Sequence, residues 1–437
     1  MTPERVRIGL LGCGNVGAAL VELIDQRGAA IAARTGLRLE VTRVAVRSLA
    51  KERPVELPEG VLTLDAAGLV VDPAVDVVVE VIGGIEPARE LVLAAVKAGK
   101  PVVTGNKEML ANVGAELFAA AEEAGVDLLF EAAVAGGIPF IRPLRESLAG
   151  ERIDRIMGIV NGTTNYVLTR MTEAGVSYAD ALSEAQNLGY AERDPTADVE
   201  GHDAAAKAAI IASIAFGVRV VAGDVYDEGI SRITTADIDY AAKMGYVVKL
   251  LAIAEQHDGP DGPGGPDGGE VAVRVHPAMV PVDHPLASVR DSFNALFVEG
   301  AAVGDLMFYG RGAGGSPTAS AVLGDLIDAA LNRTRGSHAS VGALGRARIR
   351  PIDEVETAYY LNLDVFDRPG VLAAVAGVFG QHDVSIRSME QEGLGGEARL
   401  VFITHVAREA AVQATIRDLH HLEAVDRITS VLRVIGR

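Results

Sequence analysis

Short apolar runs alternate with longer stretches of helical period over the first third of the chain. Arg5–Leu11, Glu40–Val46, Val75–Ile82, Pro101–Thr104 and Val126–Val134 read as strands, and Pro87–Ala98 and Leu110–Ala124 read as helices between them. That rhythm predicts an α/β domain built on a doubly wound parallel sheet. After Arg152 the texture changes: a strand at Ile153–Val160 breaks at Asn161-Gly162-Thr163-Thr164, and helices dominate through Phe216. Residues 258–269 are all Gly, Pro or Asp, and read as a flexible solvent loop ahead of a strand at Val271–Val275. From about Glu356 a third rhythm begins. Strand Ala358–Phe366, helix Gly370–Phe379, strands Val384–Met389 and Ala398–Val406, helix Glu409–Leu419 and strand Arg427–Val434 follow the βαββαβ order of a ferredoxin-like unit, which reads as an appended module.

The first strand runs directly into Gly12-Cys13-Gly14-Asn15-Val16-Gly17 and then into an alanine-rich helix. Each glycine answers a separate need: Gly12 for the tight turn, Gly14 for close approach of a pyrophosphate, Gly17 for packing of helix against strand. With a strand before it and a helix after it, the motif points to a bound dinucleotide. The residue closing the second strand selects the nucleotide, because a carboxylate accepts from a ribose hydroxyl and an arginine pairs with a 2′-phosphate. Here Arg47 follows that strand, which favours NADP and leaves NAD open; the competing reading of Arg47 is a solvated loop cation. Two further turns, Val81-Ile82-Gly83-Gly84 and Thr104-Gly105-Asn106-Lys107, lie at the carboxyl ends of strands, where ligands of such sheets bind. Lys107 is thereby a candidate for chemistry.

Composition narrows the partners. The 437 residues are 49% apolar, enough for several cores, and about three domains are expected at roughly 150 residues each. A formal charge of −19, with no long Lys/Arg cluster, argues against a nucleic-acid partner. The lone Cys13 excludes an internal disulfide framework and reads as a small residue tolerated beside the phosphates. No secretion signal and no run of about twenty apolar residues is evident, so neither export nor a membrane is expected, and the chain reads as cytoplasmic.

The acidic stretch that follows Gly189 places Glu192, Asp194, Asp198, Glu200 and Asp203 within twelve residues, and ends by opening an apolar helix. Asp203 and Lys207, four apart, share one face of that helix. They form either a routine surface pair that favours the helix dipole or a desolvated pair of the kind found at functional sites. A cationic acid near a nicotinamide can protonate a carbonyl oxygen as hydride reaches its carbon, and two neighbouring ammonium groups depress each other's pKa toward neutrality. Carboxylates beside them would hold a substrate ammonium group. The combination describes an amino-acid aldehyde or alcohol.

These motifs, together with Glu131-Ala132-Ala133-Val134-Ala135-Gly136-Gly137-Ile138-Pro139, Asn161-Gly162-Thr163-Thr164-Asn165-Tyr166 and Tyr309-Gly310-Arg311-Gly312-Ala313-Gly314, stand in the order in which homoserine dehydrogenases carry them. The chain resembles the monofunctional members of that family with a C-terminal ACT domain, over essentially its whole length. The resemblance implies a Rossmann-type domain over 1–150, an α+β substrate-binding and dimerisation domain over 151–345 whose segment 310–340 returns to the nucleotide domain, and an ACT regulatory domain over 356–437. It implies NAD(P)-dependent interconversion of L-aspartate 4-semialdehyde and L-homoserine, on the route to threonine, methionine and isoleucine, by a homodimer or homotetramer.

Carried over by position, Lys207 matches the proton donor and Lys107 the second lysine at substrate and nicotinamide. Glu192 and Asp203 match substrate contacts, with Asp198 a third. Gly12, Gly14, Asn15, Val16 and Gly17 of the glycine turn, with Thr104, Lys107, Gly189 and Gly310, match positions at the cofactor; Arg47, read from its place after the second strand, joins them as a cofactor-binding candidate. Glu131, Val134, Gly136 and Ile138 match a sodium site; the competing reading is a buried Glu131 satisfied by backbone amides. The loop Asp367-Arg368-Pro369-Gly370 resembles the effector loop of ACT domains, with Asp367 and Gly370 as candidate contacts and threonine as the expected effector. Two other readings remain open: a non-catalytic dinucleotide and amino-acid sensor, and an amino-acid dehydrogenase acting on C–N bonds.

Overall fold

The apolar runs of the N-terminal third form one parallel sheet, buried on both faces. A computed structural model gives the fold, and the structure describes residues 3–257, 269–342, 344–393 and 397–436; the Gly/Pro-rich segment 258–268 lies outside them. The strands β1 (Glu4–Leu11), β2 (Leu37–Ala45), β3 (Leu62–Thr63), β4 (Val77–Glu80), β5 (Val102–Thr104) and β6 (Leu128–Leu129) take the order β3-β2-β1-β4-β5-β6. Val6, Ile8, Leu10 and Val77 to Val79 are completely buried, as strands covered on both faces must be. The helices α1 (Asn15–Thr35), α2 (Ala66–Val71), α3 (Ala88–Lys97) and α4 (Lys107–Ala124) cover the sheet.

The last expected strand, Val126–Val134, is corrected to Leu128–Leu129 alone. Two carboxylates end it. Asp325 accepts from the Glu131 amide (2.7 Å), turning the chain into a 3₁₀ turn at Glu131–Ala133. The Glu131 carboxylate in turn accepts from the amides of Phe140, Ile141 and Arg142, opening the short helix α5 (Ile141–Arg145). Between them Ala135 and Gly136 sit at φ of 55° and 50°, which no strand can contain.

The rest of the chain shares a second, mixed sheet. It contains β7 (Ile153–Ile159), β8 (Tyr226–Asp227), β9 (Tyr246–His257), β10 (Glu270–Pro281), β11 (Phe293–Gly300), β12 (Gly304–Arg311) and β13 (Arg348–Ile349), then β14 (Glu356–Phe366), β15 (Ile386–Gly393), β16 (Glu397–Thr404), β17 (Ala407–Arg408) and β18 (Val425–Val434). The main path runs β12-β11-β7-β9-β10-β18-β14-β16-β15. The helices α6 (Gly162–Ala174), α7 (Tyr178–Asn187), α8 (Thr196–Val199), α9 (His202–Phe216) and α10 (Thr235–Lys243) pack on it. α11 (Gly315–Arg335) leaves it and lies on the first sheet, where Ala319, Val322, Leu326 and Ala330 join the core of Leu20, Val21 and Ile24 from α1.

The final βαββαβ unit, with α12 (Val371–Gln381) and α13 (Glu409–His420), has the strand order β18-β14-β16-β15 of a ferredoxin-like fold. It is not hung on as a separate bead. β18 pairs in parallel with β10 at Ala278 and Met279, making the two sheets continuous. The outer edge of β10 is covered in three instalments, by β13 at Glu270 and Val271, by β8 at Arg274 and Val275, and by β18 at Ala278 and Met279.

Candidate active site

The phosphate turn has the geometry its sequence asks for. Gly12 sits at φ 96° and its amide donates to Ala45 O (3.0 Å), tying the turn to the end of β2. A Cβ on Gly17 would lie 2.3 Å from Gly12 O, so helix and strand meet here only through glycine. Gly14, by contrast, faces open space, and no side chain caps the amides that open α1 at Asn15 and Val16. Bare backbone donors at a helix N-terminus over open space are an anion cradle. Cys13 is half-buried and burial pushes its thiol up, against a weaker opposing pull from Arg53, so it is no thiolate nucleophile. Arg47, just beyond β2, is exposed and makes no hydrogen bond or ion pair with the described residues.

Across the crevice, the turns after β4 and β5 are fastened together by a residue that the sequence reading passed over. Glu80, fully buried at the end of β4, accepts from the amides of Ile82 (2.8 Å) and Gly83 (3.3 Å) and from the Thr104 hydroxyl. The Thr104 oxygen also receives the Asn106 amide (3.0 Å). Asn106 caps α4 through Met109 N (3.1 Å) and donates to Gly84 O (2.7 Å). Lys107 is thus the first residue of a helix whose start is fixed on three sides, not a loop lysine.

Lys207 comes from α9, whose Ala204, Ala208, Ile211 and Ala212 are buried. Its ammonium donates to Val160 O (2.7 Å) and Asp203 Oδ2 (2.6 Å). The other oxygen of Asp203 is bonded by Lys107, 96 residues away in the chain. Two ammonium groups therefore converge on one buried carboxylate. Exposure differs sharply: 43% for the Lys107 side chain, 11% for Lys207 and 6% for Asp203. Asn161, two residues beyond β7 and the N-cap of α6, completes the cluster, donating to Asp203 Oδ2 (2.9 Å) and Asp198 Oδ1 (2.7 Å) while its oxygen accepts from Thr164 N (2.9 Å). Thr163 donates to Tyr190 O (2.6 Å), holding the loop that carries Gly189 and Glu192 against the cluster.

The electrostatics follow from burial. Burial alone would raise the Asp203 carboxyl, but the ammonium groups of Lys207 and Lys107 outweigh it and hold the group well below the ordinary carboxylate range. Lys207 goes the other way: burial lowers its pKa, the Lys107 charge lowers it further, and Asp203 only partly restores it. A lysine so placed keeps its proton beside Asp203 and releases it more readily than a solvated one, as a proton donor at neutral pH requires.

The remaining expected residues fall around this core. Glu192 is exposed, and its carboxylate has no partner among the described residues. Gly189 turns at φ 77°. Gly310, on β12, faces Ile138, since a Cβ there would meet that side chain at 3.1 Å. The Glu131 carboxylate is engaged by three backbone amides, which is the competing reading of that residue. The carbonyls of Val134, Gly136 and Ile138 accept no hydrogen bond among the described residues. Asp367 and Gly370 lie on an exposed loop at the far end of β14, outside the cluster. No group of three or more His, Cys, Asp or Glu side chains with metal-site geometry occurs among the described residues, and no described helix is long and apolar enough to cross a membrane.

Family models match the chain in three successive blocks: homoserine dehydrogenase, NAD binding domain, over residues 12–131; homoserine dehydrogenase over 139–327; and ACT domain over 359–424. A homoserine dehydrogenase of Corynebacterium glutamicum is 52% identical over 98% of this chain and 95% of its own length. The crystal structure of a homoserine dehydrogenase from Thiobacillus denitrificans, 42% identical, superposes with a TM-score of 0.92 over 99% of both chains. A hyperthermophilic archaeal homoserine dehydrogenase in complex with NADPH, 29% identical, superposes at 0.61 over 75% of this chain and 98% of that one.

Proposed function

The chain belongs to the homoserine dehydrogenase family, an oxidoreductase family whose substrates are L-homoserine and L-aspartate 4-semialdehyde, and from that premise we propose the role of each residue in the cluster. The reading rests on one observation above the others: Lys107 and Lys207, distant in sequence, share the carboxylate of Asp203 at the mouth of the nucleotide crevice. Bound reduced nicotinamide supplies the hydride that the aldehyde carbon accepts. Lys207 protonates the aldehyde oxygen; its partial desolvation and the neighbouring Lys107 charge make that proton available. Lys107, the more exposed of the two, orients the oxygen and the nicotinamide side of the crevice. Asp203 holds both ammonium groups in place until the transfer and opposes early loss of the Lys207 proton, and Asn161 fixes the orientation of Asp203. Glu192 and Asp198 receive the substrate ammonium group. A sensor without catalysis has no use for two ammonium groups gathered on one buried anion.

The finer assignments have their own support. NADP in preference to NAD is favoured by Arg47, an exposed cation just beyond β2 with no partner among the described residues. Gly12, Gly14, Asn15, Val16 and Gly17 hold the pyrophosphate, and Thr104, Gly189 and Gly310 border the crevice. For a sodium ion, the turn offers the carbonyls of Val134, Gly136 and Ile138 beside two neighbouring buried carboxylates. Those are Glu131 and Asp325, the latter pushed up to about 7 by burial, with the Glu131 charge adding to the rise. A hard cation suits oxygen donors of this kind, and the amides on Glu131 leave the carbonyls as its principal ligands. The ACT domain takes an amino-acid effector, threonine, with Asp367 and Gly370 at its loop. A homodimer or homotetramer is supported by the open edge strand β12 with its exposed Tyr309.

Replacing Lys207 with alanine tests the core of the reading. NADPH affinity stays within a factor of about two and turnover falls about 10²–10⁴-fold, the usual contribution of a positioned general acid. Unchanged turnover removes Lys207 from the mechanism.

A further inference from the structure

A cleft of about 500 Å³ opens where the ACT domain meets the first turn of α9. Its floor is a closed ionic network. Arg433 donates to both oxygens of Glu409 (2.9 Å each) and to Glu228 (2.8 Å), while Tyr359 and Gln413 also bond Glu409. Arg433, Glu409 and Tyr359 are almost wholly buried, and the rings of Tyr226 and Tyr359 flank the guanidinium. These groups satisfy one another and leave little for a ligand. The walls differ. His202 bonds Asp227, but the Glu200 carboxylate and the Arg232 guanidinium line the same cavity with no hydrogen bond or ion pair to any described residue.

One uncommitted carboxylate and one uncommitted guanidinium in a cavity of ligand size, with tyrosine rings and Val431 supplying apolar surface, match a zwitterion. The excess of carboxylates, from Glu228 and Asp227, disfavours a phosphate or other plain anion. We propose that this cleft is a binding site for a small α-amino acid, its ammonium group held by Glu200 and its carboxylate by Arg232, and that occupancy alters catalysis through α9. The juxtaposition is direct: His202 lines the cleft, and the next residue, Asp203, holds both ammonium groups of the active site. The site is distinct from the Asp367–Gly370 loop. Tyr359 and Asp367 are eight residues apart along an extended strand, roughly 25 Å at the usual rise. The inference rests on the reading of the ACT domain as responsive to amino acids.

The test uses the full-length enzyme with L-threonine, L-methionine and L-isoleucine as probes, measuring binding by calorimetry and inhibition by initial rates. Glu200→Gln and Arg232→Ala are each expected to weaken binding of at least one probe about tenfold or more, as loss of a charge-assisted contact does. Uninhibited turnover should stay within about twofold, since neither residue belongs to the catalytic cluster. Asp367→Ala should leave this binding event in place. Binding lost in Asp367→Ala but unchanged in both cleft variants overturns the cleft and spares the effector reading. Absence of binding by all three probes to the unsubstituted enzyme overturns both. Thermal melts of the variants, expected within a few degrees of the parent, separate lost binding from lost folding.

Discussion

Asp203→Asn isolates the charge that gathers the active site, because the side chain keeps its shape and loses only its charge and one acceptor. In the native cluster the carboxylate takes Lys207 at 2.6 Å, Lys107 on its other oxygen and Asn161 at 2.9 Å. A hydrogen bond to a charged partner is worth about 1.5–3 kcal/mol, and one pKa unit is about 1.4 kcal/mol. Removing the anion should therefore lower the Lys207 pKa further, since burial and the Lys107 charge already depress it and Asp203 is what opposes them. Exposed Lys107 turns to solvent; buried Lys207 cannot, and sheds its proton instead. Aldehyde reduction needs that proton, so its rate profile should move to lower pH, and turnover at neutral pH should fall at least about 10²-fold. The assay follows loss of reduced-nicotinamide absorbance from about pH 6 to about pH 10, spanning neutrality and the ordinary lysine range. A profile in its original position, with turnover within about threefold, refutes the argument that Asp203 governs the Lys207 proton.

Three further outcomes follow from the same geometry. Arg47→Ser should raise KM for NADPH by about tenfold while leaving NADH nearly unaffected, since only the former carries a phosphate for the guanidinium; equal changes for both nucleotides would make Arg47 a bystander. Glu131→Gln leaves one oxygen where three amides converge, and should cost about 2–4 kcal/mol in urea unfolding, an effect to be measured with and without added sodium to part the structural role from the ionic one. Arg433→Met strands the buried Glu409 and should destabilise by about 3–5 kcal/mol. Burial works to raise Glu409, but the Arg433 charge and hydrogen bonds bring it below its ordinary value. The pair therefore stabilises above the normal glutamate range, near pH 4.3, and that contribution disappears as pH falls through the lowered folded value. The parent's acid-side loss of stability from this pair should be absent in the variant.

The two architectures at either end of the chain were legible because their signals are local. A glycine turn between strand and helix, and a βαββαβ succession, are set by neighbours in sequence. The Asp203–Lys207 spacing likewise declared one helix face. Lys107 could be placed at the end of β5 by its turn, but its meeting with Asp203 depends on two domains closing on each other and came only from family resemblance. Glu80 and Asn161 carried no signal of their own: a glutamate in a valine run and an asparagine before a glycine become fastening points only when distant turns arrive. The strand expected through Val134 failed for the same reason, since Asp325 and the amides of residues 140–142 reach it from elsewhere. Nor did a regular period announce that the final unit would join the central sheet; β18 and β10 meet over two residues, too few to leave a pattern.

That short junction sets what a shortened enzyme would face. With residues beyond about 350 removed, Ala278, Met279 and Val280, all buried in the full chain, lose the neighbour whose Ile435 amide reaches Met279 O (2.9 Å). A bare, apolar stretch of β10 would then invite pairing with the same stretch of another molecule, and self-association would limit the yield of the truncated protein before any loss of regulation could be measured. A single lysine on that rim, pointing outward from the exposed segment, should restore dispersal without touching the catalytic crevice.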